Sequence, residues 1–353
     1  MKTYANAPIV CSNCFGDVGL RLDAERIGID ILGPCPNCGS SNFKKLPIAG
    51  LGRLAHRYFV WGSMSKANYG AAPMIEFNKH QNTSINVQPW LQEDVKLIER
   101  LLGVGFFYYG PRLWMIGEIE PLKALIKLKT RQTIIDRILR EYPERRLLTT
   151  ESFYRVRLNP NSAEDSSQYD SPPPEHAGRG RLDVKGQSVL YGSPDLEVCI
   201  HECRVAAEDD IFVATLNPTR DLRLLDLSVL LKEEGITEFE SLDLTVHMLF
   251  LAGRHSYKLT RSIAEAARLA GFDGLVYPSY FSLLRLGKMP FQTVYGISHR
   301  QIEQLHEHEQ AKTIPNLALF GHPVASGSVA VKCINRLIVN RVGYDYHFGP
   351  TNV

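Results

Sequence analysis

No stretch of this 353-residue sequence approaches the ~20 consecutive apolar residues of a membrane-spanning helix. The longest apolar run, 246–252, is interrupted by His247. The opening residues, MKTYANAPIVCSNC, lack the apolar core of a secretory signal. These absences lead us to expect a cytoplasmic protein with no membrane partner. Charge of one sign is also missing: 40 Lys and Arg stand against 38 Asp and Glu, a formal net charge of +2. That balance leaves little for the counterion release on which a dedicated nucleic-acid binder depends, although a local basic patch stays open. It also offers little repulsion between copies, so a homo-oligomer is a reasonable expectation. A Gly-x-Gly-x-x-Gly fingerprint is absent, which argues against a Rossmann dehydrogenase.

What the sequence does contain is the composition of a soluble globular chain, 44% hydrophobic and 22% charged, long enough for two or three domains. Seven cysteines are present, and four of them form Cys11-x2-Cys14 and, twenty residues later, Cys35-x2-Cys38. Each Cys-x2-Cys turn brings two thiolates to one metal, and two such turns complete a closed four-sulfur shell suited to structural Zn2+. Gly16 and Gly39 follow the two knuckles, where a positive φ is expected. The remaining Cys199, Cys203 and Cys333 show no such spacing.

Residues 1–45 therefore form an expected zinc ribbon, and 46–148 a mainly helical N-terminal region. In the latter, Leu91, Val95, Ile98 and Leu102 recur at helical spacing before Gly103. Further helices are expected from Glu120-Pro121 and through Ile134, Ile135, Ile138 and Tyr142 up to Pro143. Five arginines between Arg131 and Arg146 could form a basic face, but interleaved Asp136, Glu141 and Glu144 favour an ordinary solvated one.

A third region, 149–353, opens with the alternating strand pattern Phe153–Leu158. Residues 159–178 are polar and proline-rich, and no regular element is expected there. A short strand over 188–192 then leads into a helix, with Ser193 as its expected cap and Pro194 in its first position. Leu196, Cys199, Ile200 and Cys203 share one apolar face of that helix, Glu202 lies at the border of the face, and His201 points away. A border carboxylate can line a cleft or simply face solvent. Ile263, Ala266, Ala267 and Ala270 mark another helix ended by Gly271, followed by a strand through Leu275-Val276-Tyr277 that stops at Pro278-Ser279. Residues 316–321 and 328–339 read as further strands.

In this order, Phe153-Tyr154-Arg155-Val156, Gly180-Arg181-Leu182-Asp183, Val189-Leu190-Tyr191-Gly192, His201-Glu202, the run 271–279 and Leu317-Ala318-Leu319-Phe320-Gly321 resemble the RES domain, a family named for its arginine, glutamate and serine. The resemblance covers about 150–345. The cysteine-bearing front, with the run 14–21, is similar to the N-terminal extension of larger RES proteins of the HEPN/RES type.

This resemblance implies a mixed α/β, ADP-ribosyltransferase-like fold and an enzyme that consumes NAD+ by cleaving the nicotinamide–ribose bond, as a glycohydrolase, phosphorylase or ADP-ribosyltransferase. It further implies a toxin or defence effector whose partner would be an Xre-type antitoxin or another protein regulator. By residue, Glu202, Tyr191 and Arg155 match catalytic positions, and Arg155, Arg181, Tyr191 and Ser279 match NAD+-contacting ones. Arg179 competes with Arg181 within the Gly-Arg-Gly-Arg run. The interval from Glu202 to Ser279 is longer than in compact members, so an insertion has to be accommodated.

The chemistry suits these residue types. Cleavage of the bond passes through an oxocarbenium-like state that a carboxylate stabilises. Guanidiniums fit a pyrophosphate, and a tyrosine offers an aromatic face. The alternative is a catalytically inactive zinc-ribbon scaffold that binds nucleic acid or a protein. A ribonuclease would need an Arg-x4-6-His motif. The front region has none, and Arg300-x5-His306 falls in a charged stretch.

Overall fold

The computed structural model describes residues 7–67, 70–109, 119–286, 293–294 and 297–351. Packing divides the chain into Met1–Gly117 with Tyr344–Val353, and Glu118–Gly343. The cysteine spacing and the family resemblance place the divisions at 45/46 and 148/149 instead.

In the front unit, β1 (Pro8–Cys11) pairs antiparallel with β2 (Lys45–Pro47), and α1 (Val18–Ile27) lies between them in sequence. The first helix starts at Asp17, whose carboxylate accepts from the Leu20 N–H at 2.8 Å. α2 (Ile48–Ala55) continues into a π-helical turn over His56–Val60. Two antiparallel strand pairs follow, β3 (Met64–Ala67) with β4 (Gly70–Pro73), and β5 (Ile75–Asn78) with β6 (Gly105–Tyr108). α3 (Gln92–Leu102) separates the last two strands and ends on Gly103 in the left-handed conformation, as the spacing predicts. One apolar core joins Val10, Phe15 and Leu20 of the cysteine region to Leu54, Phe59, Ile98 and Phe106. The chain's last residues close this unit: the Phe348 N–H donates to buried Asp23 at 2.9 Å, and the Arg26 guanidinium lies 4.2 Å from the Tyr346 ring centre.

The back unit begins with α4 (Glu120–Ile126), α5 (Leu128–Glu141) and β7 (Glu144–Leu147). These elements belong here because α5 packs on α8 (Tyr257–Leu269), α4 packs on α7 (Leu242–Leu251), and β7 pairs with β11 (Leu222–Asp226). The remaining elements are β8 (Phe153–Leu158), β9 (Val189–Gly192), α6 (Leu196–Cys203), β10 (Ile211–Pro218), β12 (Gly274–Pro278), α9 (Ser282–Leu286), the two-residue strands β13 (Thr293–Val294) and β14 (Ile297–Ser298), α10 (His306–Gln310), β15 (Pro315–Phe320) and β16 (Val329–Leu337). They form a five-stranded sheet in the order β7-β11-β12-β15-β9 and a three-stranded sheet in the order β16-β10-β8. The fold is therefore mixed α/β.

Leu190, Leu224, Val276, Leu317 and Leu319 of the larger sheet share a core with Phe153, Ala214 and Leu216 of the smaller one. The opposite face of the larger sheet receives α7 and α8. α7 is buried from Leu242 to Phe250, so it has no solvent-facing polar stripe, and its buried Asp243 and His247 are instead partnered by Arg300. α6 packs on β8, setting buried Cys199 against Val156, Ile211 and Val213. Within 159–178 only two short 3-10 turns form, Ser166–Tyr169 and Pro174–His176.

Candidate active site

Strand register decides what meets Glu202. β12 and β15 run antiparallel with Tyr277 opposite Asn316, and β15 and β9 with Ala318 opposite Tyr191. Residues paired across strands, and residues two apart along one, share a face. Tyr191, Tyr277 and Asn316 therefore project to the same side of the sheet, and Ser279 follows immediately beyond the end of β12.

α6 delivers Glu202 to this edge. Its cap is Asp195, which accepts from the Val198 N–H at 2.9 Å, and not the expected Ser193. Ser193 is unavailable because it bridges Tyr154 and donates its hydroxyl to the Pro315 carbonyl at 2.9 Å, so the helix starts later. Val198 and Cys199 are the buried residues of α6, with Leu196, Ile200 and Cys203 partly buried beside them. His201 does not simply point to solvent: it stacks on Phe281 with ring centres 5.8 Å apart.

Glu202 itself is exposed, but its Oε1 accepts from Ser279 Oγ at 2.9 Å and from Asn316 Nδ2 at 2.7 Å. Both donors are buried, Ser279 at 0% and Asn316 at 3% exposure. Asn316 also stands directly across from Tyr277 in the strand pairing. Burial and then the Glu202 charge push the Tyr277 phenol well above its ordinary range, against an opposing pull from Arg181. Thus Glu202, Ser279, Asn316, Tyr277 and Arg181 form one electrostatic neighbourhood.

The sequence-predicted arginines are both engaged. Arg155 is buried, and its two terminal nitrogens donate to the carbonyls of Tyr191 and Asp170, each at 2.8 Å. Burial, followed by the neighbouring Arg157 charge, pulls its guanidinium down to about 10. Arg181 donates to the carbonyls of Leu249 at 3.0 Å and Ala252 at 2.9 Å, at the C-terminal end of α7, and lies 4.9 Å from the Tyr257 ring centre. Cations are favourable at that end of a helix. Arg179 is exposed.

Tyr191 holds the glycine–arginine loop. Its hydroxyl donates to Asp183 Oδ1 at 2.8 Å and accepts from the N–H groups of Leu182 at 2.8 Å and Asp183 at 3.2 Å. Burial raises the Asp183 carboxyl, but the hydrogen bonds from Tyr191 and the loop amides outweigh it and hold the group below its usual range. Arg261 ties the same loop from α8, donating to the carbonyls of Gly178 at 2.8 Å and Gly180 at 2.7 Å. Gly180 has to be glycine here, since a Cβ would overlap Asp183 Oδ1 and stand 2.8 Å from the Tyr191 hydroxyl.

Two cavities of about 940 and 270 Å3 lie along α8, both bordered by Val184 and Arg261 and neither by Glu202. Size is not what marks the Glu202 cluster. An exposed carboxylate fixed by buried donors is a better sign of chemistry than volume, because its partners have been desolvated to hold it. Tyr277 and Asn316 carried no role in the sequence reading. Their signal, a polar residue in each of two apolar strands, acquires meaning only once those strands are paired.

The front unit holds a separate cluster. The Sγ atoms of Cys11, Cys14, Cys35 and Cys38 lie within 4.8 Å of one another, with Cys11–Cys38 at 3.5 Å, Cys14–Cys35 at 3.7 Å and Cys11–Cys14 at 3.8 Å. Four sulfurs at ~2.3 Å from a tetrahedral zinc would stand ~3.8 Å apart, so the shell fits that ion. Asn37 donates to Cys14 Sγ at 3.3 Å and is itself held by Arg100 at 3.0 Å, an outer layer of the kind that orients metal ligands. Gly39 has φ +76°, as the knuckle geometry predicts. Gly16 does not have a positive φ. Its N–H instead donates to buried Asp94 at 2.8 Å, a contact open to any residue.

Residues 152–284 match the family model described as the RES domain. A solved structure, the crystal structure of the M. tuberculosis MbcT–MbcA toxin–antitoxin complex, is similar at 13% identity, covering 57% of this chain and 91% of that chain with a TM-score of 0.34. No curated protein matches the chain.

Proposed function

We propose that this chain, whose residues 152–284 are a RES domain, consumes NAD+ by breaking the nicotinamide–ribose bond at Glu202. The observation that carries the proposal is the accessible Glu202 carboxylate, held on one oxygen by two buried donors beside Tyr277 and Arg181. Departure of nicotinamide leaves positive charge on the ribose. A fixed carboxylate stabilises that charge as it develops, without having to reorganise. Oε1 is occupied by Ser279 and Asn316, so Oε2 is the oxygen turned to the substrate.

Arg181 acts electrostatically on Tyr277 of this cluster, and with exposed Arg179 it is the candidate for the pyrophosphate. Arg155 serves Glu202 less directly, by fixing the Tyr191 carbonyl on the neighbouring strand. Tyr191 in turn sets the loop that carries both other arginines. Water, phosphate or a protein side chain would accept the ADP-ribosyl group, and an Xre-type antitoxin or another protein would restrain the activity.

We further propose that Cys11, Cys14, Cys35 and Cys38 hold Zn2+. In a closed shell the ion cross-links the front unit and supplies no reacting position.

The test is to incubate the full chain with NAD+, with and without phosphate, and identify the products. Free nicotinamide with ADP-ribose, a phosphorylated ADP-ribose or a modified protein would each support bond cleavage and name the acceptor. Intact NAD+ under both conditions would overturn the proposal.

A further inference from the structure

The two donors to Glu202 Oε1 differ in kind. Ser279 offers a hydroxyl that rotates and also accepts from the Phe281 N–H at 3.1 Å. Asn316 offers a planar amide on a paired strand, directly opposite Tyr277 of the neighbouring strand. A carboxylate can only accept, so the Asn316 amide has one allowed orientation, Nδ2 toward Glu202.

We infer that Asn316 is a positioning residue for the reaction, which acts through Glu202 by pinning Oε1 inward and leaving Oε2 on the open side. An exposed glutamate with three rotatable bonds otherwise samples solvent-facing rotamers. One hydroxyl contact would leave the carboxylate free to swing about that contact. A second donor, in a fixed direction, removes the swing and orders the group before substrate arrives. This inference rests on the reading of Glu202 given above.

The test pairs crystal structures with kinetics on the full chain. In Asn316→Ala the Glu202 carboxylate should leave its place beside Ser279, and kcat should fall about 10–100-fold, the usual effect of losing a hydrogen bond to a charged group. KM for NAD+ should stay within about twofold. Asn316→Asp keeps the shape of the side chain and sets carboxylate against carboxylate, so it should lose at least as much.

A double-mutant cycle separates positioning from mere structure. Added to Glu202→Gln, Asn316→Ala should cost less than about twofold more, because the charge it positions is already gone. An equal loss in both backgrounds would overturn the inference, as would an undisplaced carboxylate in Asn316→Ala. If the wild-type chain leaves NAD+ intact, the proposed function falls. The crystal structures then decide Asn316 alone: a displaced carboxylate supports its positioning role and an undisplaced one refutes it.

Discussion

The front and back units build their chemistry in opposite ways. In the front unit four cysteines, two per knuckle, bring their own sulfurs within 4.8 Å. Local turns do most of that work. In the back unit Glu202 meets Ser279 across 77 sequence positions and Asn316 across 114. No local turn can do this; it takes a helix cap, two paired strands and a covering helix layer. The front site is thus robust to changes elsewhere and fragile to loss of a single ligand. The back site is sensitive to any change in register.

The comparison breaks most easily at the metal. Removing the proposed zinc, or replacing Cys11 by serine, should unfold the front unit, since structural zinc contributes about 10–16 kcal/mol of apparent binding free energy to small folds. Calorimetry with metal analysis should show one transition lost and the other kept. Because β7, α4 and α5 pack within Glu118–Gly343, the surviving transition belongs to that span rather than to a fragment beginning at Leu148. Loss of both transitions together would mean the two units are not separable.

Glu202→Gln sharpens the back half of the comparison. It should lower NAD+ turnover about 10²–10³-fold, as expected when one preorganised electrostatic group is removed, and leave the melting temperature nearly unchanged because the side chain is exposed. A folded variant with wild-type turnover excludes Glu202 as the charge that meets the cation.

Gly180→Ala tests the loop instead. Its new methyl would collide with Asp183 and crowd the Tyr191 hydroxyl, so a destabilisation of about 1–3 kcal/mol is expected, read from a denaturant melt. An unchanged midpoint would show that the Tyr191–Asp183 latch is not rigid.

The smallest effect is expected at Asp273. Burial raises its carboxyl, but Arg220, at 2.6 Å, and the Arg223 N–H, at 2.8 Å, outweigh this and hold it below the usual range. A group lowered in the folded state adds stability above its unfolded value of ~4 and loses it as pH falls through the folded value. Asp273→Asn should therefore cost less than about 1 kcal/mol at pH 7, allowing for the exposure of Arg220, and the gap to wild type should close towards pH 3. A gap that widens on acidification contradicts this sign.

Elements were legible where the pattern was local. Phe153–Leu158 forms the strand its alternation predicts, and α3 ends on Gly103 as its spacing predicts. The α6 cap was misplaced because Ser193 is claimed by partners from two other strands, which no cap rule can foresee. The engagement of Arg155 and Arg181 was equally hidden. Both meet backbone carbonyls, and a carbonyl leaves no trace in residue identity. Asn316 and Tyr277 remained unremarkable polar positions until β12 and β15 were placed in register.

What the sequence determined by itself is what near neighbours in the chain enforce: the four-sulfur shell, most strands and helices, and the ordered pieces that resemble a RES domain. Tertiary structure alone decided that α4, α5 and β7 join the back unit, that the last residues return to the front one, and that two strands converge on a single oxygen of Glu202. The reason is physical. Turn and helix preferences act over a few residues, whereas the partner of a buried donor or an apolar face is whichever distant segment excludes water from it.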